Sequence, residues 1–185
     1  MQGGAGMGAS ETGRVVHAMP MTGEGNPVYT IGHSNVPLDK ILSVLRQYGV
    51  TVLVDARSAP YSSYNHQFDR EQLERDMPAD IRYLYLGQQL GGRTEAGTAD
   101  PDDPDVVRRV ESGIQKLLRS RRRDVVCVMC AEEDPRECHR SRLIAARLLA
   151  EHGVDAQHIR HDGRVRVQPQ SRLEAEQKQQ LSLFG

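Results

Sequence analysis

The amino-acid sequence contains no tryptophan, and its only aromatic residues are six tyrosines and two phenylalanines in 185 residues. Proteins that coat single-stranded nucleic acid stack successive bases on many aromatic side chains, so this scarcity argues against that class of protein. Lysine is rare too, since it occurs only as Lys40, Lys116 and Lys178. Nearly all the positive charge is therefore arginine, which suits two-pronged contacts to phosphate or carboxylate.

An excess of charge of either sign is also missing. The formal net charge of −1 excludes the global basic field that a non-specific DNA-coating protein needs, so any DNA contact must come from a local patch or through a partner. No apolar run approaches the roughly eighteen residues of a membrane span. Residues 1–27 lack the continuous apolar stretch of a signal peptide. We therefore expect a cytoplasmic protein with no membrane partner.

The hydrophobic fraction of 38% is low for a chain ordered from end to end. Residues 1–27 are rich in glycine and show no apolar periodicity, which predicts a disordered leader. Residues 163–185 are polar and rich in glutamine, which predicts a disordered tail. One folded domain is expected between them, over residues 28–162.

Short apolar runs, typical of strands buried in a parallel sheet, alternate with segments of helical periodicity. We predict strands at 28–31, 51–55, 81–86, 124–130 and 154–159. We predict helices at 37–49, 68–77, 106–120 and 134–152, with a flexible loop over 87–104. This order predicts an α/β fold: a single three-layer domain whose mainly parallel sheet of about five strands is flanked by helices. Val165 and Val167 could add an edge strand.

Polar side chains follow three of the predicted strands. In open parallel sheets, ligands bind beyond the carboxyl ends of the strands, so these residues are expected to share one edge of the sheet. They are His33 and Ser34 after the first strand, Asp55, Arg57 and Ser58 after the second, and Cys130 and Glu132 after the fourth.

The segment from Cys130 to Arg140 carries the most reactive groups. Asp134, Pro135 and Glu137 form a helix-start signal, which places Cys138 and the two residues after it near a helix N-terminus. The helix dipole would favour a thiolate at Cys138, and an adjacent histidine could act as its base. The candidate catalytic residues are Cys138, His139, Glu132, Cys130 and Asp55. The candidate substrate-binding residues are His33, Ser34, Arg57, Ser58 and Arg140.

Other interpretations of this segment stay open. Cys130 and Cys138 could bind a metal together with a histidine, but the seven residues between them do not match the usual zinc spacings, and no metal or cofactor is assigned. The two cysteines could form a redox pair if the loop folds back. The segment could also be only a helix cap with an ion pair to Arg140. Cys127, in mid-strand, is expected to be a small buried apolar side chain.

Five motifs that occur in order resemble the domain of unknown function 488 family. They are Tyr29-Thr-Ile-Gly-His-Ser34, Leu53-Val-Asp-Ala-Arg-Ser-Ala-Pro60, Leu90-Gly-Gly92, Cys130-Ala-Glu132 and Cys138-His-Arg140. The resemblance covers about residues 28–162, and Ala56 stands where the family usually has valine. It implies a compact α/β fold with polar residues at one edge of the sheet, and it implies no particular reaction.

The last residues, Gln180, Leu181, Ser182, Leu183 and Phe184, resemble the pentapeptide with which bacterial polymerases and repair proteins bind the DNA sliding clamp. The two apolar residues at its end would fill a cleft of the clamp. We therefore expect the bacterial sliding clamp as partner, DNA as an indirect contact, and a location at the nucleoid. The predicted function is DNA repair or base processing. The alternatives are a non-catalytic adaptor that binds a nucleotide or a partner protein, and an enzyme for a small phosphorylated metabolite.

Overall fold

The computed structural model describes residues 25–62 and 64–166, and strands alternate with helices along most of this length. The strands are β1 (Val28–Gly32), β2 (Val52–Asp55), β3 (Arg82–Tyr85), β4 (Arg93–Thr94), β5 (Gly97–Thr98), β6 (Val126–Cys130), β7 (Gln157–Ile159) and β8 (Val165–Arg166). The α-helices are α1 (Leu38–Gln47), α2 (Arg70–Asp76), α3 (Gly87–Leu90), α4 (Pro104–Ser120) and α5 (Ala146–His152). Short 3₁₀ turns lie at His66–Phe68 and Pro135–Glu137, and a π-helical segment, Arg140–Ala145, leads into α5.

Six strands form one sheet in the order β3-β2-β6-β1-β7-β8, and all neighbours are parallel except β7 and β8. Gly32 pairs with Cys130, and Asp55 pairs with Met129, so β1, β2 and β6 end at the same edge. The predicted α/β fold with a mainly parallel sheet is confirmed. The sheet has six strands because Val165 pairs antiparallel with β7, as an added edge strand.

The core consists of two layers of apolar side chains, one on each face of the sheet. On one face, Val54 and Val128 belong to the same buried cluster as Val110 and Ile114 of α4. On the other face, Leu53 belongs with residues of α1 and α2 in a second cluster. Cys127 is fully buried in this second cluster, which confirms its predicted role as a small apolar side chain. Helices on both faces give the predicted three layers.

The predicted helix over 134–152 is interrupted. The side chain of Asp134 accepts a hydrogen bond from the backbone nitrogen of Arg136, but the turn that it caps ends at Glu137. Cys138 then has an extended backbone, with φ −118° and ψ 142°, and a second helical segment begins at His139. The helix start predicted at Asp134 is therefore present, whereas nothing in the local sequence pattern indicates the second start at His139.

The segment over 87–104, predicted as a flexible loop, contains the single turn of α3 and the hairpin of β4 and β5. These elements are too short to produce an apolar period, but Leu90 is fully buried. Helix α4 begins at Pro104, two residues before its predicted start, because the side chain of Asp103 accepts hydrogen bonds from the backbone nitrogens of Asp105 and Val106. The predicted helix over 68–77 is shorter, since Phe68 belongs to a 3₁₀ turn.

The residues just before β1 form hydrogen bonds with the residue that follows α4. Asn26 donates its backbone N–H to the carbonyl of Arg121 at 2.8 Å, and the Arg121 Nε donates to the carbonyl of Asn26 at 2.8 Å. Residues 1–24 and 167–185, which hold most of the predicted leader and tail, lie outside the described residues. Within the described part of the chain, no helix is both long and apolar enough to cross a membrane.

We predict that Ile114→Ala destabilises the domain by about 2–5 kcal/mol, because it leaves a cavity under α4 where the side chain is fully buried. Ser112→Ala, at an exposed position of the same helix, is the matched control and should change the free energy of unfolding by less than about 0.5 kcal/mol. Urea unfolding followed by circular dichroism measures both. Equal midpoints for the two variants would show that α4 does not cover the sheet as described.

Candidate functional site

Two cysteines and a histidine meet at the carboxyl edge of the sheet. Cys130 is the last residue of β6, Cys138 immediately precedes the second helical segment, and His139 begins it. The Nδ1 atom of His139 lies 3.5 Å from Sγ of Cys130 and 3.9 Å from Sγ of Cys138. The two cysteines are only 4% and 2% exposed. We call these three residues the thiol cluster.

The orientation of the His139 ring is fixed from two sides. Its Nε2 lies 3.2 Å from the carbonyl oxygen of Ala56, and a carbonyl can only accept, so Nε2 carries the hydrogen. The lone pair of the neutral ring is then on Nδ1, which faces the two sulfurs. Gly92 lies against the other side, where a Cβ would come within 2.4 Å of the ring carbon Cγ. A side chain at position 92 would therefore displace the ring.

The two thiols of the cluster affect each other's ionisation in opposite directions. A hydrogen bond from Cys130 lowers the pKa of Cys138, with further lowering by His139 and the charge of Arg140, while burial opposes them. The same interaction with Cys138, together with burial, raises the pKa of Cys130 well above its ordinary value.

Arg140 holds the loop that connects the two cysteines. Its side chain is fully buried, and its Nη1 and Nη2 donate to the backbone carbonyls of Glu132 and Glu133, the latter at 2.7 Å. The same loop is tied to β1, since Ser34 donates its backbone N–H to the carbonyl of Ala131 at 2.8 Å. Both Nη groups of Arg140, a predicted substrate-binding residue, are thus committed to the backbone.

Beneath the loop after β2, Asp55 and Arg57 form a buried ion pair. The Arg57 Nε and Nη2 donate to the two carboxylate oxygens of Asp55 at 2.9 and 2.6 Å, and Tyr83 donates its hydroxyl to the same carboxylate at 2.8 Å. Arg57 also donates to the carbonyl of Phe68 at 2.6 Å. Asp55 is fully buried, and its contacts orient Arg57. A catalytic role for Asp55 stays a prediction.

His33 extends this network to the loop after β1. Its Nδ1 lies 2.8 Å from the carbonyl of Ser34 and donates to it, so its Nε2 accepts from Arg57 Nη1 at 3.2 Å. The ring stacks on Phe68 with 4.1 Å between ring centres. Burial and, second, the charge of Arg57 lower the pKa of His33 to about 4, so its ring is neutral near pH 7.

A cavity of about 380 Å³ opens beside the thiol cluster, a size that suits a small ligand. The three cluster residues line it, together with Arg93 and Arg142, whose side chains are exposed. Tyr61, which is 58% exposed, lines both this cavity and an adjoining one of about 360 Å³. The edge of the sheet therefore combines sulfur, imidazole, guanidinium and aromatic groups around one space.

The structure brings most of the sequence-predicted site residues to these two cavities. Those that line the first are Cys130, Glu132, Cys138, His139, Arg57 and Ser58, and those that line the second include His33 and Ser34. Asp55 and Arg140 line neither cavity. No observation tests the roles assigned to these residues, which stay predictions.

Sequence reasoning missed Arg93 and Arg142. A signal for Arg142 was available, because it follows Cys138 by four residues and such positions share a helix face. For Arg93 the chain offers no local signal. Its position depends on a tertiary contact, a hydrogen bond of 2.9 Å from its backbone nitrogen to Oγ of Ser58.

The protein is thus an α/β domain that carries a thiol cluster at the carboxyl edge of its sheet. The family model described as Domain of unknown function DUF488 matches residues 37–148, which is more than half of the chain, and the protein belongs to this family. The family resemblance seen in the sequence motifs is thereby confirmed. A search of curated proteins and a search of solved structures gave no match. The clamp-binding pentapeptide, 180–184, lies outside the described residues and stays a prediction.

We predict that His33 makes the domain less stable in acid. The pKa of this histidine is about 4 in the folded protein and about 6.5 in the unfolded chain, so the unfolded state binds the extra proton between these values. Stability is therefore fully present above pH 6.5 and falls as the pH approaches 4, by roughly 3 kcal/mol. His33→Gln removes this titration and should flatten the pH dependence.

The measurement is urea unfolding of the intact protein and of His33→Gln at pH 7 and pH 4.5. The two proteins share the other charged groups around the ring, Arg57, Asp55 and His161, so the difference between their pH profiles isolates position 33. Parallel profiles would contradict the buried, neutral His33 described above.

Proposed function

We propose that this protein is an enzyme of DNA metabolism that acts on a nucleotide base, in repair or base processing. The thiol cluster would be its reacting centre. The observation that carries the proposal is that one cavity is lined both by this cluster and by the exposed arginines Arg93 and Arg142. Reactive groups and anion-binding groups in one small cavity are the combination that a nucleotide substrate requires.

The substrate class follows from the groups around the cavity. Arginine binds phosphate through paired hydrogen bonds, so Arg93 and Arg142 suit a nucleotide's phosphate. The exposed ring of Tyr61 offers a face on which a base can stack. The cavity, at about 380 Å³, suits a single base that has left the stack and would not admit a duplex.

The reaction class follows from the reacting groups. Cysteine, histidine and a carboxylate together serve attack at an electrophilic carbon, such as a ring carbon of a damaged base or an alkyl group on it. Glu132 is exposed and lines the same cavity, so its carboxylate is available as a general acid or base. Arg57 lines the cavity as well, with a direction fixed by its ion pair to Asp55.

Recruitment to DNA is the second part of the proposal. The net charge of −1 provides no long-range attraction to DNA, so the protein needs a partner that is already there. The residues from Gln180 to Phe184 supply a peptide of the clamp-binding type, and 167–179 connect it to β8. Such a contact is weak alone but raises the local concentration of the domain at DNA, which would place the protein at the nucleoid.

The reaction is tested with oligonucleotides that carry alkylated, deaminated or oxidised bases, analysed by mass spectrometry. We expect the intact protein to alter at least one of these bases, and Cys138→Ser to lower the rate about 100-fold or more, because a reacting centre loses a sulfur. Cys127→Ala is the matched control. It removes a thiol that is buried in the core and does not line the cavity, so the activity should remain.

If none of these oligonucleotides and no free nucleotide were altered, the enzymatic proposal would be contradicted. If clamp binding persisted in that case, the non-catalytic adaptor would be the function that remains. If Cys127→Ala lost as much activity as Cys138→Ser, the loss would follow from removing any buried thiol and would not identify Cys138 as the reacting sulfur.

Recruitment is tested by a pull-down with purified bacterial sliding clamp. We expect the intact chain to be retained and Phe184→Ala to be lost, since Phe184 supplies the largest apolar contact of the peptide. Glu174→Ala, upstream of the peptide in the same tail, should bind like the intact chain. Equal retention of the intact chain and of Phe184→Ala, or no retention of either, would contradict the clamp-binding proposal.

A small phosphorylated metabolite is the second candidate substrate. The size of the cavity favours it, because a space of about 380 Å³ with two exposed arginines also suits a free mononucleotide or sugar phosphate. This candidate makes the tail irrelevant to turnover. Activity on free phosphorylated compounds, with no activity on oligonucleotides, would select it over the DNA-directed enzyme.

A further inference from the structure

The geometry points to a metal centre: we infer that Cys130, Cys138 and His139 bind one Zn²⁺ ion through their two sulfurs and Nδ1. The fourth coordination position would face the cavity that these residues line. Binding of the ion stands independently of the proposed reaction. Only its use in catalysis rests on the proposed function, which it makes more specific.

The distances fit a tetrahedral ion. Bonds of about 2.3 Å to sulfur and about 2.0–2.1 Å to nitrogen place a sulfur and a nitrogen ligand roughly 3.5 Å apart and two sulfur ligands roughly 3.8 Å apart. The observed separations from His139 Nδ1 are 3.5 Å to the sulfur of Cys130 and 3.9 Å to that of Cys138. All three ligand atoms lie within 4.8 Å of one another. An ion can therefore enter with little rearrangement.

The hydrogen-bonding of His139 is that of a metal ligand. Histidines that bind metals donate their other ring N–H to a carboxylate or a backbone carbonyl, which fixes the tautomer and the direction of the lone pair. The contact of 3.2 Å between Nε2 and the carbonyl of Ala56 does this. Gly92 leaves room for the ring on its other side. The ring is thus positioned before any ion arrives.

Hydrogen bonds within the thiol cluster and a disulfide are the two alternatives to an ion. In a hydrogen-bonded chain Cys130 donates to Cys138, and Cys138 donates to the single lone pair on Nδ1 at 3.9 Å. The closer approach of the Cys130 sulfur to the same nitrogen, at 3.5 Å, then serves no bond, whereas an ion uses both approaches. A disulfide would join the sulfurs and leave Nδ1 facing a group with no proton to donate. A cation at the centre satisfies all three ligand atoms at once.

The set of ligands indicates the type of site. Over residues 25–62 and 64–166, no fourth histidine, cysteine, aspartate or glutamate joins this group. Structural zinc sites use four protein ligands, whereas catalytic ones use three and leave a position for water or substrate. Because the cluster lines the cavity, this position would be accessible to a ligand bound there. Cys138 would then serve as a ligand of the ion, and a bound water, made more acidic by the ion, would be the attacking group.

The first test measures metal in the full-length chain, purified without chelator and supplied with Zn²⁺. We expect about one equivalent of zinc by mass spectrometry of the digested protein, and well under half an equivalent in Cys138→Ser and in His139→Gln. Replacement by Co²⁺ should give thiolate charge-transfer absorption and the intense visible bands of a tetrahedral ion. Among the described residues, Glu111, Glu151 and His152 form a second group of possible ligands. Glu111→Gln, which alters that group, is the control and should retain the full zinc content.

A second test uses a variant that keeps all three ligands. Gly92→Ala places a methyl group against the His139 ring, which should weaken zinc binding roughly 10- to 100-fold, as loss of an orienting contact does. Circular dichroism confirms that each variant is folded. A folded wild-type protein that takes up neither Zn²⁺ nor Co²⁺ would overturn the inference, as would full metal content in both Cys138→Ser and His139→Gln.

The two proposals fail separately. If the protein bound about one equivalent of zinc but altered no base or nucleotide, the metal site would be supported and the enzymatic proposal contradicted. If a metal-free protein altered bases, and neither chelator nor added Zn²⁺ changed this activity, the enzymatic proposal would be supported and the metal site contradicted.

Discussion

The buried guanidinium of Arg140 binds the carbonyls of Glu132 and Glu133, and the architecture of the site depends on this contact. The loop after β6 must leave the sheet and return to begin a helix, and two of its backbone carbonyls accept hydrogen bonds from this buried side chain. The guanidinium carries a positive charge and several donors, so both of these hydrogen bonds are charge-assisted. Because the loop is held, Cys130 at its start and Cys138 at its end stay together.

A second buried network holds the neighbouring loops. Asp55 neutralises Arg57, which in turn contacts Phe68 and His33, so the segments after β1 and β2 and the turn before α2 share one set of hydrogen bonds. Buried ion pairs of this kind contribute little net stability but fix geometry, because each misplaced partner would leave an unpaired charge. The loops that bound the cavity are therefore fixed by buried hydrogen bonds, and the reactive groups line the cavity.

The parts of this arrangement that were predicted correctly depend on local chemistry. Apolar runs gave β1, β2 and β6, and the topology of parallel strands brought the residues after them to one edge. The motif resemblance gave the family, which the family model confirms. The helix over 134–152 was predicted as continuous because the start signal at Asp134 is genuine, but the extended backbone of Cys138 divides it. The segment over 87–104 was predicted as a loop, and the hairpin that carries Arg93 was not predicted, because two-residue strands have no periodicity.

The alternation of strands and helices, the burial of Cys127 and the edge of the sheet at which polar groups collect can be predicted from local sequence, because each follows from the period and polarity of neighbouring residues. The meeting of Cys130, Cys138 and His139 depends on long-range contacts that no local pattern encodes. Seven residues separate the two cysteines, a spacing that by the usual zinc patterns argues against a metal. Spacing rules describe short turns, whereas here a strand end and a helix start, tied together by Arg140, set the distance between the sulfurs.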